Sequence, residues 1–214
     1  MPQVFAPTAN AIARASLAAL GLLVVGAAVG GWLFVRSSWA TGEDIIPRQP
    51  VPFSHLHHVG GVGLDCRLCH AHATDGAMAG LPSVDVCMTC HREVWPDAPV
   101  LAPIRDAWRD GREIAWNRVH DLADYAYFHH GIHLAKGIGC EDCHGRVDRM
   151  PLTRQDAPLT MQWCLDCHRD PAAHVRPPAE VFTMGWTPPE GFDRLALARA
   201  LDLRSITDCT GCHR

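Results

Sequence analysis

Cys66-Arg67-Leu68-Cys69-His70 is the first of five blocks that share one spacing: two cysteines three positions apart, with a histidine directly after the second. The other four blocks are Cys87-Met88-Thr89-Cys90-His91, Cys140-Glu141-Asp142-Cys143-His144, Cys164-Leu165-Asp166-Cys167-His168 and Cys209-Thr210-Gly211-Cys212-His213. All ten cysteines of the 214-residue chain lie in these blocks. The spacing is that of covalent haem c attachment, in which both thiols form thioethers and the adjacent imidazole binds the iron. The sequence therefore predicts five haem c groups with five proximal ligands, His70, His91, His144, His168 and His213.

Three other uses of such cysteines fit the pattern less well. A zinc ribbon needs its Cys-x-x-Cys pairs in twos, whereas here there are five, and zinc does not require a histidine after each pair. A redox dithiol needs only one such pair. A disulfide scaffold has no use for a repeated histidine-tailed spacing.

The histidines outnumber the proximal ligands, since the chain has 14 of them. Two Phe-x-His-x-x-His motifs, beginning at Phe53 and Phe128, each precede an attachment block. The arrangement resembles that of class III cytochromes, where the first histidine caps the haem of its own segment and the second reaches a neighbouring haem. The resemblance implies four distal ligands, His55, His58, His130 and His133.

The fifth distal ligand is predicted to be His120, which lies in an aromatic-rich approach to the second Phe-x-His-x-x-His motif. Met184 is a rival ligand for one haem, and a Met/His haem would have a higher potential than its bis-histidine neighbours. The four remaining histidines are not predicted to be ligands: His57, His72, His129 and His174. His57 and His129 fall between motif positions and are expected at the surface or at a haem edge.

Residues Ala15 to Val35 form an apolar stretch of 21 residues whose only polar member is Ser16. As a helix the stretch would span about 31 Å, close to the thickness of the bilayer hydrocarbon. A cleaved signal peptide, cut before Thr41, is the alternative, but the stretch is longer than a usual signal core. A retained anchor is favoured, and Gly26 and Gly30 would allow close packing on a partner helix. Because haem c is attached outside the cytoplasm, the haem domain is expected on the periplasmic side of the inner membrane.

The two Phe-x-His-x-x-His motifs mark an internal repeat, because Cys66 and Cys140 lie 74 residues apart and Cys87 and Cys164 lie 77 apart. The predicted organisation is a cytoplasmic N-terminus at 1–14, a transmembrane anchor at 15–36, a first two-haem module at 41–98, a connection at 99–127, a second two-haem module at 128–170, and a C-terminal segment with the fifth haem at 171–214.

The fold class follows from the composition outside the anchor. The chain has 16 prolines and 18 glycines, and it contains no useful alternating strand pattern, so long regular elements are not expected. We predict a multihaem cytochrome of irregular coil and short α-helices wrapped around five haems. Short helices are expected near Ile104–Ile114 and Phe192–Leu203.

Nearly the whole chain resembles the pentahaem cytochrome subunit of alternative complex III, a quinol:electron-acceptor oxidoreductase. The resemblance rests on four stretches, Pro52-Phe53-Ser54-His55, Arg118-Val119-His120 before Tyr127-Phe128, Trp163-Cys164-Leu165-Asp166-Cys167-His168-Arg169 and Thr207-Asp208-Cys209 through Arg214, although Ala123 stands where proline is expected. It implies an electron-transfer subunit of a respiratory or photosynthetic complex. Its partners would be iron–sulfur and polytopic membrane subunits, with a monohaem cytochrome c subunit, a soluble cytochrome c or a blue-copper protein as acceptor.

Two other functions remain open from the residues alone. A self-sufficient quinol dehydrogenase would need an iron with an exchangeable or missing distal ligand at the membrane surface. A multihaem enzyme acting on a small substrate would need an open iron with acid–base groups beside it, whereas every block here keeps its histidine. The formal charge of −4 makes a nucleic-acid partner unfavourable.

Overall fold

A computed structural model describes residues 5–213, and the chain divides after Gly42 into two units. The first four residues of the predicted cytoplasmic segment 1–14, and Arg214 of the predicted C-terminal segment, lie outside the described residues. Within that range the regular structure is helical, and β pairing is limited to two isolated bridges, Glu43 with Gln155 and Ala126 with His213. The prediction of short helices and coil without strands is confirmed.

The first unit is dominated by one long helix, α1 (Ala9–Phe34), followed by a single helical turn, α2 (Ser38–Thr41). Helix α1 has 26 residues, a mean hydropathy of 2.2 over its most apolar window, and no buried residue. A helix that is apolar on all sides needs an apolar environment, and at about 39 Å it is long enough to cross a bilayer. It begins six residues before the predicted anchor, because the Ala-rich stretch ahead of Arg14 also favours a helix.

The second unit carries eight short α-helices among its described residues. They are α3 (Cys66–Cys69), α4 (Val84–His91), α5 (Ala102–Arg109), α6 (His130–Ala135), α7 (Glu141–His144), α8 (Met161–Arg169), α9 (Arg194–Ala200) and α10 (Cys209–Cys212). A π-helical turn spans Leu56–Gly61, and four 3₁₀ turns span Pro99–Leu101, Val147–Arg149, Pro171–His174 and Pro178–Glu180.

Each of the five cysteine blocks coincides with a helical turn, in α3, α4, α7, α8 and α10. In a helix, residues three apart share a face, so the two cysteines of a block project to the same side. Side chains cap three of these turns: Asp65, Thr160 and Asp208 each accept a hydrogen bond from a backbone amide two or three residues on. Local sequence alone therefore shapes the attachment geometry.

The two helices predicted outside the blocks are present but shorter than expected. Helix α5 ends at Arg109 because Gly111, with φ of 63°, turns the chain into a left-handed conformation. Helix α9 begins at Arg194, where the Asp193 carboxylate accepts a hydrogen bond from the Ala196 amide. It ends before Asp202, which has φ of 46°.

The buried apolar residues form two small clusters. Helices α4 and α5 pack together around one of them, which consists of Val51, Val84, Met88, Leu101, Ile104 and Ala107. The other consists of Ala73, Leu134 and Val181, with Cys140 packed against it. Both clusters therefore lie next to attachment cysteines, since Cys87 packs against the first.

Candidate haem sites

Four of the five block histidines face a second histidine ring at nearly the same spacing. The ring centres of His55 and His70 lie 6.4 Å apart, and those of His58 and His91 lie 6.1 Å apart. In the second module the corresponding distances are 6.3 Å for His130 and His144, and 6.1 Å for His133 and His168. The structure thus brings together the two histidines of each Phe-x-His-x-x-His motif with the two block histidines of the same module.

This spacing fits an iron between the paired rings. An imidazole nitrogen binds a transition metal at about 2.0 Å, and the ring centre lies roughly 1 Å behind that nitrogen. Two imidazoles on opposite faces of one haem iron therefore have centres about 6 Å apart. Direct stacking would bring the rings closer, as Phe53 does on His58 at 4.3 Å. The residues present fit bis-histidine haem at these four sites.

The angle between the two ring planes repeats from one module to the other. The planes are nearly parallel in the first pair of each module, at 7° for His55 with His70 and 11° for His130 with His144. They are steeply crossed in the second pair, at 67° for His58 with His91 and 78° for the pair at His168. The internal repeat read from the sequence thus extends to the ring geometry.

One phenylalanine in each motif positions both of its histidines. The Phe53 ring stacks on His58 at 21° and meets the edge of His55 at 84°, with centres 4.9 Å apart. Phe128 does the same with His133, at 27°, and with His130, at 89°. Aromatic contacts of this kind favour defined ring orientations. The motif phenylalanine therefore holds two neighbouring distal rings at a fixed relative angle.

Hydrogen bonds select the imidazole tautomer that can bind a metal. A carbonyl oxygen only accepts, so a ring whose Nδ1 contacts a carbonyl carries its proton there and keeps a lone pair on Nε2. Five rings have such a contact, at 2.8 to 3.0 Å: His58 with Ser54, His70 with Gly80, His91 with Val94, His130 with Ala77 and His133 with His129. Nε2 is thus available for iron in each of them.

Burial keeps several of these rings neutral. Desolvation, followed by the nearby rings of His70 and His58, lowers the pKa of His55 to about 4. Desolvation and the neighbouring imidazoles lower the pKa of His144 to about 3. Burial also lowers the pKa of His133. The neutral imidazole is the form that binds a metal, so at neutral pH these side chains are in the ligand state.

The structure does not bring the other predicted ligands to the fifth block. The His120 ring lies against His144, with centres 4.2 Å apart, and its Nε2 is buried without a hydrogen-bond partner. The ring against His213 is that of Tyr125, at 5.7 Å. Met184 lies in a cleft with Asp65 and Cys66, beside the first block. No ring among residues 5–213 pairs with His213 at the spacing of the other four sites.

The histidines that were not predicted as ligands have other contacts. His57 is exposed and its ring lies 5.5 Å from that of Trp95. The His129 ring accepts a hydrogen bond from the Ile132 amide and so caps helix α6. His72 is exposed and lies 3.7 Å from Asp75, and His174 is exposed at the end of a 3₁₀ turn.

Two supporting groups carried no signal in the sequence. The Thr153 hydroxyl contacts Nδ1 of His55 at 2.8 Å across 98 positions of chain. Arg176, only 5% exposed, pairs with Glu141 at 2.8 Å and with Asp142 at 3.1 Å. These two acidic residues lie between the cysteines of the third block, so Arg176 anchors that block to the following loop.

Five repeated attachment turns, four of them with facing imidazoles, define a multihaem c-type cytochrome, in which haem c is covalently bound. Residues 126–214 match the family described as cytochrome c7 and related cytochrome c. The chain is also 31% identical, over 157 residues, to the menaquinone reductase multihaem cytochrome c subunit of Nitratidesulfovibrio vulgaris. The alignment covers 73% of this chain and 66% of that relative.

Proposed function

We propose that this chain is the electron-transfer subunit of a quinone-linked membrane oxidoreductase, carrying five haem c groups on a single N-terminal anchor. The observation that supports it most directly is the set of four histidine pairs with ring centres 6.1 to 6.4 Å apart. Helix α1 is the anchor in this proposal, and the haem domain lies on the periplasmic side of the inner membrane.

At the first four sites, the role of the facing histidines would be to hold the haem iron from both sides. When bound, haem supplies reversible one-electron chemistry at its iron. The paired imidazoles would both bind the iron and so leave no place for an exchangeable ligand at these four sites. Their hydrogen bonds and the motif phenylalanines hold the rings in place, which reduces the reorganisation needed when the charge of the iron changes. This arrangement suits electron transfer rather than substrate binding.

The link to quinone rests on the relative from Nitratidesulfovibrio vulgaris, which is a subunit of a menaquinone reductase. The resemblance to alternative complex III favours the opposite direction, quinol oxidation toward a cytochrome c or blue-copper acceptor. Both the relative and the resemblance place a cytochrome subunit in a larger membrane complex. The resemblance to alternative complex III also implies iron–sulfur and polytopic membrane subunits. We propose quinol oxidation as the direction, and quinone reduction is the alternative that the relative's name supports.

The fifth site, at Cys209, Cys212 and His213, needs a separate assignment. His120 is the distal ligand predicted from the sequence, and reaching His213 would require it to leave its contact with His144. If it does not, the fifth iron has an open position, as a direct quinol dehydrogenase would need. Carbon monoxide binding by the reduced protein distinguishes a fifth iron that has His120 as its second ligand from a fifth iron with an open position, because a six-coordinate low-spin iron does not bind carbon monoxide.

Complete attachment at all five blocks is the first expected result. Because each of the ten cysteines belongs to a block, the intact mass of the purified chain should exceed that of the polypeptide by five haems. Mass spectrometry under denaturing conditions measures this directly, with thiol alkylation as the control. A smaller mass accompanied by cysteines that alkylate would reduce the number of haems in the proposal.

The ring angles predict two classes of low-spin ferric signal. In electron paramagnetic resonance, parallel imidazole planes give a rhombic spectrum, whereas crossed planes give a single signal at larger g. The first and third sites should give the rhombic type, and the second and fourth sites the large-g type. Replacing His58 with alanine should remove one large-g signal and leave both rhombic signals. A spectrum with only one class contradicts the geometry.

Isolation of the native assembly tests the proposed function. The chain, extracted with detergent and recovered by an affinity tag, should bring additional membrane subunits with it. Addition of a short-chain quinol should reduce the haems of the assembly, as followed by their absorption bands. The haems of the isolated subunit should stay oxidised. Reduction of the isolated subunit by quinol would instead support a self-sufficient dehydrogenase. Oxidation of reduced haem by added quinone, without the reverse reaction, would favour quinone reduction.

A further inference from the structure

The first and third attachment sites lie against one shared segment of chain. Arg67, inside the first block, lies over the Phe182 ring at 4.8 Å, and the Cys140 amide of the third block donates a hydrogen bond to the adjacent Val181 carbonyl at 3.0 Å. In the haem-loaded chain each block sulfur would be bonded to the edge of a porphyrin, so two blocks held on one short segment would bring two porphyrin edges close together.

The same two sites are joined by a reciprocal exchange of supporting groups. In the first module, Nδ1 of His55 is hydrogen-bonded to the hydroxyl of Thr153, which follows the third block. In the second module, Nδ1 of His130 donates a hydrogen bond at 2.8 Å to the carbonyl of Ala77, which follows the first block. Each module therefore holds the distal ring of the other module's first site. The two modules meet through their first sites.

Backbone contacts support this exchange on both sides. The Leu56 amide donates to the Met150 carbonyl at 3.0 Å, and the Gly131 amide donates to the Gly76 carbonyl at 3.1 Å. A Cβ on Gly131 would also come within 2.6 Å of the Thr74 carbonyl oxygen, which shows how closely these segments approach. The docking of the two modules is thus specified by main chain as well as by side chains.

The second site adjoins the first, and the fourth site adjoins the third. The shared contact of one phenylalanine with both distal rings of a module places its two sites side by side.

The fifth site continues from the fourth. Cys212 lies within electrostatic range of Cys164 in the fourth block. The Cys212 carbonyl accepts a hydrogen bond from the Tyr127 amide at 2.7 Å, and His213 forms a bridge with Ala126. These residues directly precede the Phe128 motif of the second module. These backbone contacts attach the fifth site to the second module.

We propose that the five attachment sites form one unbranched series in the spatial order second, first, third, fourth, fifth, so that electrons enter and leave the chain at the second and fifth sites. The order rests on the proposed haem loading of all five blocks. It differs from the order along the chain, because the modules meet at their first sites. Of the ten cysteines, the two that are exposed are Cys90 and Cys209, which belong to these two ends.

Methionine variants of the distal histidines test the order in the full-length, haem-loaded chain. Methionine in place of histidine raises the potential of a haem, so the altered site is reduced first in a stepwise titration. A reduced low-spin haem is diamagnetic and no longer broadens the resonance signals of its nearest neighbours. In His58→Met, where the second site is altered, adding one electron per chain should narrow the rhombic signal of the first site only. In His55→Met, where the first site is altered, it should narrow the large-g signal of the second site and the rhombic signal of the third.

His133→Met is the matched variant in the other module, and it should narrow the rhombic signal of the third site while leaving the large-g signal of the second site unchanged. The adjacency of the second and first sites is reported from both sides, by His58→Met and by His55→Met, so failure of either variant to load haem leaves that adjacency testable by the other. Narrowing of both rhombic signals in His58→Met, or an unchanged third-site signal in His55→Met, overturns the order. Failure of the haem proposal itself appears earlier, as a low haem mass in the unaltered chain.

Discussion

Replacing His130 with alanine is expected to open the iron of the third site and to slow electron throughput severely. His130 faces His144 at 6.3 Å between nearly parallel planes, and the Ala77 carbonyl holds its ring. Without His130, a haem at the third site would be held by His144 alone, and its potential and spin state would change. Since a shift of about 59 mV changes the electron occupancy of a one-electron carrier tenfold, we expect throughput to fall by about tenfold or more.

Two measurements check this expectation. The reduced variant should bind one more carbon monoxide per chain than the unaltered protein, and stopped-flow reoxidation should become slower. His57→Ala is the matched control, because that ring is exposed and contacts Trp95 rather than a block histidine. Unchanged carbon monoxide stoichiometry in His130→Ala would contradict the assignment of His130 as a ligand.

Replacing Arg176 with methionine is expected to destabilise the haem domain substantially. The Arg176 side chain is 6% exposed and pairs with Glu141 and Asp142, which are 13% and 28% exposed. Methionine has a similar length but no charge, so two largely buried carboxylates would lose the cation that they share, while Glu141 would keep its longer contact of 3.7 Å with Arg146. Removing one member of a buried ion pair typically costs about 3 to 5 kcal/mol, and the partial exposure of Asp142 favours the lower end.

The denaturation midpoint in guanidinium chloride, followed by the haem absorption bands, measures this loss. Arg204→Met is the matched control: Arg204 pairs with Asp202 at 3.1 Å, but the two side chains are 76% and 72% exposed. Such a surface pair contributes little, so the control should change stability by less than about 1 kcal/mol. Equal midpoints for the two variants would mean that the Arg176 network does not support the third block.

Several features of this chain could be predicted from its sequence because they are local. One helical turn contains each cysteine pair, and the capping side chains of Asp65, Thr160 and Asp208 lie within a few residues of the backbone amides that donate to them. The apolar stretch of α1 and the absence of alternating patterns also depend only on neighbouring residues. Helices α5 and α9 are shorter than the sequence predicts, because Gly111 and Asp202 adopt a left-handed backbone conformation that ends each helix.

The distal histidines could be predicted from the sequence only in part. The repeated Phe-x-His-x-x-His spacing singled out His55, His58, His130 and His133, and the structure brings each of them within 6.4 Å of a block histidine. His120 has no repeated motif around it, and the aromatic residues nearby did not reveal that it lies against His144. A short motif thus predicts ligands only where the motif itself positions the ring.

By itself the sequence predicted where haem would be attached and which histidines are available, since a thioether pair and its proximal ligand occupy five consecutive residues. Only the tertiary structure decided which groups hold the distal rings and how the modules meet. The contact of His55 with Thr153 spans 98 positions, and that of His130 with Ala77 spans 53. In a chain of coil and short helices no periodic pattern relates such distant residues. Their contact depends on the path of the whole folded chain.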